Sequence, residues 1–402
     1  MNLMTKGFTM VYDFDTEIDR MPTSAYKWSF MKEITGLEDL FPLWVADMDF
    51  ACSPDIVKAL SERVAHPIYG YTGPTDGYHS GLINWMDKRH GWKGIEKEWV
   101  TYTPGVVSGF SLAIQAYSQP GDKVVIQPPV YYPFKNQILA NGRQVVDNPL
   151  KVVDGRYKMD FEDLEKKIDD NTRMIILCSP HNPIGRVWER EELEKLVKIC
   201  IEKDIVIISD EIHNDLIFGD IKHTPTATIS KEAMDRTVTL VAVSKTFNLA
   251  GMSTANAIIP NSKLRAMFQA AAGKSALYNN LIGIIAQDAA YNYGEPWLEE
   301  LLVYIKGNLE YFEKFFAEKL PGFKVFPLEG TYLTWVDCTT MGLNDEKLND
   351  FMLKDAKLWL DEGTLFGAEG SMFMRFNLAC PRSILVRALD SLEKAVKEHQ
   401  SS

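Results

Sequence analysis

The sequence has few cysteines, and their spacing suits neither a disulfide framework nor a zinc site. There are five in 402 residues, an odd number without any C-x-x-C pair. A disulfide-stabilised secreted domain needs paired cysteines, and a structural zinc site needs closely spaced ones. We therefore expect free thiols and a reducing, cytoplasmic location.

Long apolar segments and excess positive charge are also lacking. No uninterrupted apolar run reaches the ~18 residues of a membrane span, and the opening stretch "MNLMTKGFTMVYDFDTE" has no apolar core ahead of its acidic residues. The formal net charge is -12. A negative surface repels nucleic acids and anionic lipids, so we expect neither a nucleic acid nor a membrane as partner.

Several common catalytic motifs are missing. There is no G-x-G-x-x-G after a strand, no G-x-x-x-x-G-K-[ST], no H-E-x-x-H and no G-x-S-x-G, which argues against the sites those motifs build. The stretch "DEIHND" does place Asp210, His213 and Asp215 close together. A strand followed by a tight loop would not easily aim all three at one ion, so we expect no metal site there.

The sequence is instead rich in alternating buried strands and helices, and its 402 residues exceed the size of one hydrophobic core. A strand-like stretch at 99–104 is followed by apolar residues at helical spacing over 105–118. Continuous apolar runs stand at 123–129, 174–180, 205–211, 237–245 and 255–260, and an amphipathic helix at 189–204 separates two of them. This pattern predicts an α/β domain over residues 50–290, with a mostly parallel sheet sandwiched by helices. Residues 291–402 indicate a smaller α+β domain. Residues 1–49 have no pattern of their own and are grouped with it.

Polar groups follow these strands at the points where the strands end. The stretches are "TPGVV", "PPVYYPF", "SPHNPIGR", "SDEIHNDL" and "SKTFNLAG". Taken singly, Lys245 suits a solvated loop, Asp210 a helix cap and Asn182 a turn. In parallel sheets, however, ligands bind outside the carboxyl ends of the strands. A glycine-opened helix start for a phosphate, an aspartate and an amine at one sheet edge are the parts that hold pyridoxal phosphate.

The same stretches, together with "LWVADMDF" and "MRFNLACPR", resemble a known family in their order and spacing. They are similar to the fold-type I pyridoxal-phosphate enzymes, in particular the branch of cystathionine β-lyases and cysteine C–S lyases that includes MalY and PatB. The resemblance covers residues 26 to 395. It implies an aspartate aminotransferase-like α/β fold and pyridoxal 5'-phosphate as the cofactor.

The resemblance also implies a role for each matching residue. Lys245 would bond to the cofactor aldehyde and act as the base, Asp210 would pair with the pyridine nitrogen, and Tyr131 would stack on the ring, which makes these three the catalytic set. Further cofactor contacts would come from Asn182 and His213 near the ring oxygen, from Ser244 and the backbone N–H groups of Val106 and Val107 at the phosphate, and from Tyr71.

Two more implications concern the substrate and the assembly. Arg375, with Asn182 beside it, would hold the substrate α-carboxylate. Tyr71 would reach the cofactor phosphate of a neighbouring subunit, which implies a homodimer with composite sites.

Two positions depart from the aminotransferases of this fold. His213 stands where they have a tyrosine on the ring oxygen, a departure shared with the lyase branch. Ser253 stands where they have an arginine on the phosphate, so less positive charge is expected there.

The implied activity is β-elimination from L-cystathionine, L-cysteine or related S-substituted cysteines, giving a thiol, pyruvate and ammonia. Two alternatives stay open, an aminotransferase acting on an L-amino acid and a lyase with an additional regulatory protein-binding role. The substrate side chain is also open. Tyr332 and Trp335 could line its pocket, although buried aromatics in such strands more often belong to the core.

Overall fold

The secondary structure follows the predicted alternation closely. A computed structural model describes residues 10–401, and within them the strands are β1 (Phe41–Pro42), β2 (Val100–Thr103), β3 (Lys123–Ile126), β4 (Gln144–Asp147), β5 (Lys151–Val153), β6 (Arg156–Lys158), β7 (Thr172–Cys178), β8 (Val206–Asp210), β9 (Thr237–Val241), β10 (Ala255–Ile258), β11 (Lys324–Val325), β12 (Leu333–Asp337), β13 (Leu358–Trp359), β14 (Asp361–Glu362) and β15 (Phe373–Asn377).

The same residues form α-helices and a few short 3-10 turns. The α-helices are α1 (Met31–Thr35), α2 (Pro54–Ala65), α3 (Asp76–His90), α4 (Val106–Tyr117), α5 (Pro133–Ala140), α6 (Phe161–Lys167), α7 (Arg190–Glu202), α8 (Lys231–Met234), α9 (Val243–Thr246), α10 (Ser262–Lys274), α11 (Leu281–Tyr293), α12 (Glu295–Lys319), α13 (Asp345–Asp350) and α14 (Arg382–Gln400).

The central sheet has seven strands in the order β2-β10-β9-β8-β7-β3-β4. Neighbouring strands from β9 to β4 are parallel. The predicted mostly parallel sheet is thereby confirmed. The run at 255–260 forms β10, which is antiparallel to both β9 and β2. Composition reports burial on both faces and carries no information on strand direction.

Helices cover both faces of this sheet, as predicted. Val124 and Ile126 pack on the face covered by α4, α5 and α10, whereas Val125 between them packs on the face covered by α6 and α7. Successive side chains of a strand point to opposite faces, so a strand buried on both sides needs the continuous apolar runs seen in the sequence.

A second, four-stranded antiparallel sheet lies later in the chain, in the order β11-β12-β15-β14. The predicted strand pair around "FKVFPLEGTYLTWVD" is confirmed by the pairing of β11 with β12. Near the start of the chain, β1 pairs with β13. This pairing supports grouping the opening segment with the later part, although the bounds at residues 49 and 290 stay a prediction. Among the described helices, none is long and apolar enough to cross a membrane.

Candidate active site

Three neighbouring parallel strands bring the central polar groups to one edge of the sheet. Asp210 is the last residue of β8, and it pairs in register with Cys178 of β7 on one side and Leu240 of β9 on the other. Asn182 follows the end of β7 by four residues, and Lys245 follows the end of β9 by four. The carboxyl ends of these strands therefore deliver an amide, a carboxylate and an amine to one cavity of about 270 Å³.

Lys245 lies on a short helix, where the sequence had suggested a strand up to residue 245. The strand β9 ends at Val241, and α9 carries the lysine. The next residue, Thr246, donates a hydrogen bond of 2.7 Å from its hydroxyl to Asp215 Oδ2. Asp215 is buried and also accepts from Trp85 Nε1 at 2.9 Å. This anchored turn fixes the direction of the lysine, a role that an extended strand end could not fill.

The amine of Lys245 is held inside the cavity. Its Nζ donates to the backbone carbonyl of Ala46 at 2.5 Å. Desolvation lowers the pKa of Lys245 to about 8, and Arg375 lowers it further while the carboxylates of Asp47 and Asp210 act in the opposite direction. A lysine with this pKa is partly neutral near neutral pH, which a nucleophile or a general base requires.

Asp210 is a buried carboxylate in need of a cation. Burial raises its pKa to about 7, Glu211 raises it further, and the hydrogen bond from the N–H of Ile212 and the charge of Lys245 lower it. Within the described range, 10–401, Asp210 forms no ion pair within 4.0 Å, and its hydrogen bond from Ile212 is 3.2 Å long. A protonated pyridine nitrogen would supply the missing positive charge.

One end of the cavity suits a phosphate. Gly105 has φ +106°, a conformation that favours glycine, and it precedes the first residue of α4. The N–H groups of Val106 and Val107 lie in the first turn of α4, where they have no acceptor within the helix and where the helix dipole attracts an anion. Both residues and Ser244 line the cavity.

Another part of the cavity wall is formed by Arg375. The side chain is buried, and its Nη1 donates to Asn182 Oδ1 at 3.0 Å. Its Nη2 donates to the carbonyl of Trp44 at 2.8 Å and to Asp361. In the described part of the chain its Nε has no hydrogen-bond partner. A guanidinium with an unused buried donor suits the carboxylate of a ligand.

These groups match the needs of pyridoxal phosphate at each point, and comparison with known proteins points the same way. A model of the family described as aminotransferase class I and II matches residues 38–392. The chain belongs to this family.

Similar proteins match over nearly the whole length. Cystathionine β-lyase PatB of Bacillus subtilis (strain 168) is 43% identical over 386 residues, which cover 96% of this chain and 100% of PatB. The crystal structure of cystalysin from Treponema denticola, which contains pyridoxal 5'-phosphate, has a TM-score of 0.94 at 37% identity and covers 97% of this chain and 100% of cystalysin. The pyridoxal-phosphate-bound C–S lyase of Staphylococcus hominis has a TM-score of 0.89 at 32% identity, covering 97% and 100%.

The resemblance and the fold class inferred from the sequence are thereby confirmed. Most of the predicted site residues line one cavity, although their individual roles stay predictions. Those that line it are Lys245, Asp210, Asn182, His213, Tyr131, Ser244, Val106, Val107 and Arg375.

Tyr71 is the predicted site residue that lies elsewhere. Its side chain is 98% exposed, and its ring centre lies 5.9 Å from that of Tyr278. It does not line the cavity of its own chain. The structure of one chain leaves that role a prediction.

His213 and the two open aromatic positions differ in their surroundings. His213 is buried in the cavity wall, and burial holds its pKa well below the ordinary value, so the ring is neutral. Its Nδ1 has no partner in residues 10–401. Tyr332 and Trp335 belong to the core. Tyr332 donates to the carbonyl of Ala46 at 3.0 Å, and Trp335 donates to the hydroxyl of Tyr157 at 3.2 Å.

Sequence reasoning missed two contributors to the cavity. Asp361 and Thr254 line it, and Thr254 Oγ1 is buried without a hydrogen-bond partner in the described residues. The segment 44–50, which the sequence places around the substrate pocket, does contribute to the wall. Its carbonyls accept from Lys245 and Arg375, a role that letters do not reveal.

The segment 44–50 is itself held from two directions. Asn248, three residues after Lys245, donates to the carbonyls of Met48 and Phe50 at 3.1 and 3.0 Å. Asn377, two residues after Arg375, donates to the carbonyls of Val45 and Asp47 at 2.8 and 2.7 Å. The segment therefore ties the lysine end of the cavity to the arginine end.

Proposed function

We propose that the chain is a pyridoxal-phosphate-dependent C–S β-lyase. It cleaves L-cystathionine, L-cysteine or related S-substituted cysteines to a thiol, pyruvate and ammonia. The observation that carries this proposal is the meeting of Lys245, Asp210 and Arg375 in one cavity. The full-length similarity to lyases favours elimination over the other reactions that such a cavity could support.

The cofactor would be held at three points. The N–H groups of Val106 and Val107 and the hydroxyl of Ser244 would bind its phosphate, Asp210 would pair with its ring nitrogen, and Lys245 would bond to its aldehyde. When bound, pyridoxal phosphate supplies an aldehyde for the substrate amine and a cationic ring that stabilises negative charge at the substrate Cα.

The remaining steps rest on side chains of this chain. Arg375 orients the substrate through its α-carboxylate, as its buried and unpartnered Nε–H allows. Lys245, which the substrate amine would displace from the aldehyde, then takes the proton from Cα, because its pKa of about 8 leaves part of the free amine neutral at neutral pH. The Cβ–S bond breaks with its electron pair on sulfur, and the thiolate leaves as the thiol after protonation.

The overall reaction balances with one water molecule. The S-substituted cysteine and water give the thiol, pyruvate and ammonia, with the keto oxygen of pyruvate coming from water. No external oxidant, reductant or amino acceptor is consumed. Because an aminotransferase needs an amino acceptor, its absence from this reaction separates the lyase from its nearest alternative.

That alternative is an aminotransferase, which the family description supports. The experiment is to incubate the purified protein with L-cystathionine, without any 2-oxo acid, and to measure pyruvate and thiol. A lyase releases both in equal amounts over many turnovers. Pyruvate or a new amino acid that forms only after addition of a 2-oxo acid would replace the lyase by the aminotransferase. The additional regulatory role and the cytoplasmic location stay predictions.

We also propose a homodimer. The phosphate end of the cavity is lined by Val106, Val107, Ser244 and Ser253, none of which is a cation, so a neighbouring chain is free to complete it. Tyr71 is exposed, as are the nearby apolar side chains of Ile68, Tyr69 and Tyr278. A second copy would cover these side chains. Sedimentation at micromolar concentration should give twice the mass of the chain, and a monomer that retains full activity would contradict the composite site.

A further inference from the structure

One charged residue of the cavity has no role in the reaction as described. The charged side chains that line the cavity, within the described residues, are Asp210, Lys245, Asp361 and Arg375. On the proposed function Asp210 and Lys245 serve the cofactor, and Arg375 serves the substrate α-carboxylate. Asp361 remains, and its charge faces the space left for the substrate.

The backbone fixes Asp361 beside the substrate arginine. Asp361 in β14 pairs directly with Arg375 in β15, and its Oδ2 accepts a hydrogen bond from Arg375 Nη2. Its side chain is buried. Its Oδ1 accepts no hydrogen bond from the residues between 10 and 401, although it belongs to a residue of the cavity wall. One carboxylate oxygen therefore has no hydrogen-bond partner in the described part of the chain.

Substrate binding would place a second carboxylate on the same guanidinium. Asp361 and the α-carboxylate together carry two negative charges against the single positive charge of Arg375. The neighbouring wall is neutral, since it consists of Trp44, Tyr131 and Tyr132 with the neutral ring of His213. A third carboxylate, on a sulfur substituent without an ammonium group of its own, would find only Arg375 and Lys245 as cations in the described cavity wall. On the proposed function these two already serve the α-carboxylate and the cofactor.

We propose that Asp361 is a specificity-determining residue that rejects substrates whose sulfur substituent carries a net negative charge. It favours cationic substituents and those without net charge, such as the zwitterionic substituent of L-cystathionine. This proposal rests on the lyase function. Like charges in a water-poor site repel strongly, and such repulsion is a common source of specificity. The same charge disfavours dicarboxylic amino acids and 2-oxo dicarboxylates, which limits competing transamination with them.

The test uses two substrates of equal size, S-carboxymethyl-L-cysteine and S-carbamoylmethyl-L-cysteine, which differ by a carboxylate in place of an amide. The ratio of their kcat/KM values is measured in the wild type, in Asp361→Asn and in Glu362→Gln. Glu362 is the next residue of β14, is half-buried and lies outside the cavity wall. Intrinsic differences between the two leaving thiols cancel when the ratios are compared between variants.

We expect Asp361→Asn to reduce the preference for the amide substrate by about tenfold or more, as an added charge repulsion at close range implies. Glu362→Gln should leave the ratio unchanged. If Asp361→Asn changes both kcat/KM values by the same factor, Asp361 only orients Arg375 and the proposal is overturned.

A binding measurement separates this proposal from the lyase function and does not depend on the variant. L-Glutamate and L-glutamine carry the same charge contrast and have no leaving group at Cβ. By calorimetry the cofactor-loaded wild type should bind glutamine about tenfold more tightly than glutamate, and equal dissociation constants would overturn the proposal even if Asp361→Asn fails to fold. Absence of pyruvate from the carbamoylmethyl substrate would instead count against the lyase function.

Discussion

The two ends of the cavity are built in different ways. The cofactor end takes Asp210 from the end of a strand, and Asn182 and Lys245 from the segments that follow the two neighbouring parallel strands of the same sheet. The substrate end takes Arg375 and Asp361 from the second sheet and joins them to the segment 44–50, so that one hydrogen bond links residues 331 positions apart. The first end follows from a general rule of α/β sheets, whereas the second depends on how distant parts of this chain pack.

On the proposed function the two ends would hold their ligands by different means. Backbone N–H groups and hydroxyls would bind the phosphate, and Asp210 has no ion pair among residues 10–401. At the substrate end the guanidinium of Arg375 already has three partners, Asn182, Trp44 and Asp361. The cofactor end therefore leaves the charge of Asp210 without a partner until a ligand binds. At the substrate end, Asp361 already balances the charge of Arg375.

Lys245→Ala should have the largest effect, because it removes both the covalent anchor and the base from the cofactor end. Pyruvate formation should fall by at least about a thousandfold, and the visible absorbance of the covalently held cofactor should disappear. Lys135→Ala is the matched control, because Lys135 is exposed and lies outside the cavity. If the Lys245→Ala protein is active, another residue must serve as the covalent anchor and the base.

Asp210→Asn should affect the empty and the loaded protein in opposite directions. Because burial raises the pKa of Asp210 from 3.8 to about 7, the folded chain holds this proton more tightly than the unfolded chain. Its contribution to stability is therefore lost as the pH rises from about 4 to about 7.

Asparagine has no such proton to lose, so the cofactor-free variant should keep its stability as the pH rises. The unfolding free energy of the variant minus that of the wild type should therefore increase by up to roughly 4 kcal/mol between pH 4 and pH 8. The loaded variant should bind the cofactor more weakly. Chemical denaturation at both pH values measures the first effect, and a constant difference between the two proteins would contradict the buried, unpaired carboxylate.

Arg375→Lys should separate the two ends. A lysine keeps the charge and loses the planar donor geometry, so KM for the amino-acid substrate should rise about a hundredfold with the cofactor absorbance retained. Steady-state kinetics alongside a spectrum of each preparation measures both. Loss of the cofactor together with the activity would mean that Arg375 does not belong to a separate substrate end.

Tyr332→Phe should have the smallest effect, because Tyr332 supports the segment 44–50 from the core. The change removes its hydrogen bond to the carbonyl of Ala46, which should cost about 1 kcal/mol of unfolding free energy. Since Lys245 still donates to the same carbonyl, kcat/KM should change less than threefold. A much larger loss of activity with normal stability would place Tyr332 in the substrate pocket.

The same comparison explains what could be predicted from the sequence. Asp210 and Lys245 could be predicted because each stands at the end of a continuous apolar run, and parallel strands bring such ends to one edge of the sheet. The proposed phosphate site could be predicted because Gly105 opens a helix after a strand. The family resemblance added Arg375, whose role a lone arginine in a later strand would not have suggested.

Asp361 could not be found in this way. It stands in "LWLDEGTLF", where no periodicity or spacing marks it, and its importance arises from the register that sets it opposite Arg375. The end of β9 was predicted wrongly for a related reason. A buried apolar run does not show where the backbone turns into the short helix that carries Lys245.

The most direct test of the account is to reduce the cofactor-loaded protein with borohydride, digest it and locate the modified lysine by mass spectrometry. Reduction fixes the bond between the cofactor and its amine. We predict a pyridoxyl group on Lys245 of the peptide around "VSKTF" and on no other lysine in substantial amount. A pyridoxyl group on a different lysine, or a loaded protein without any modified lysine, would contradict the assignment of Lys245 as the residue on which the site depends.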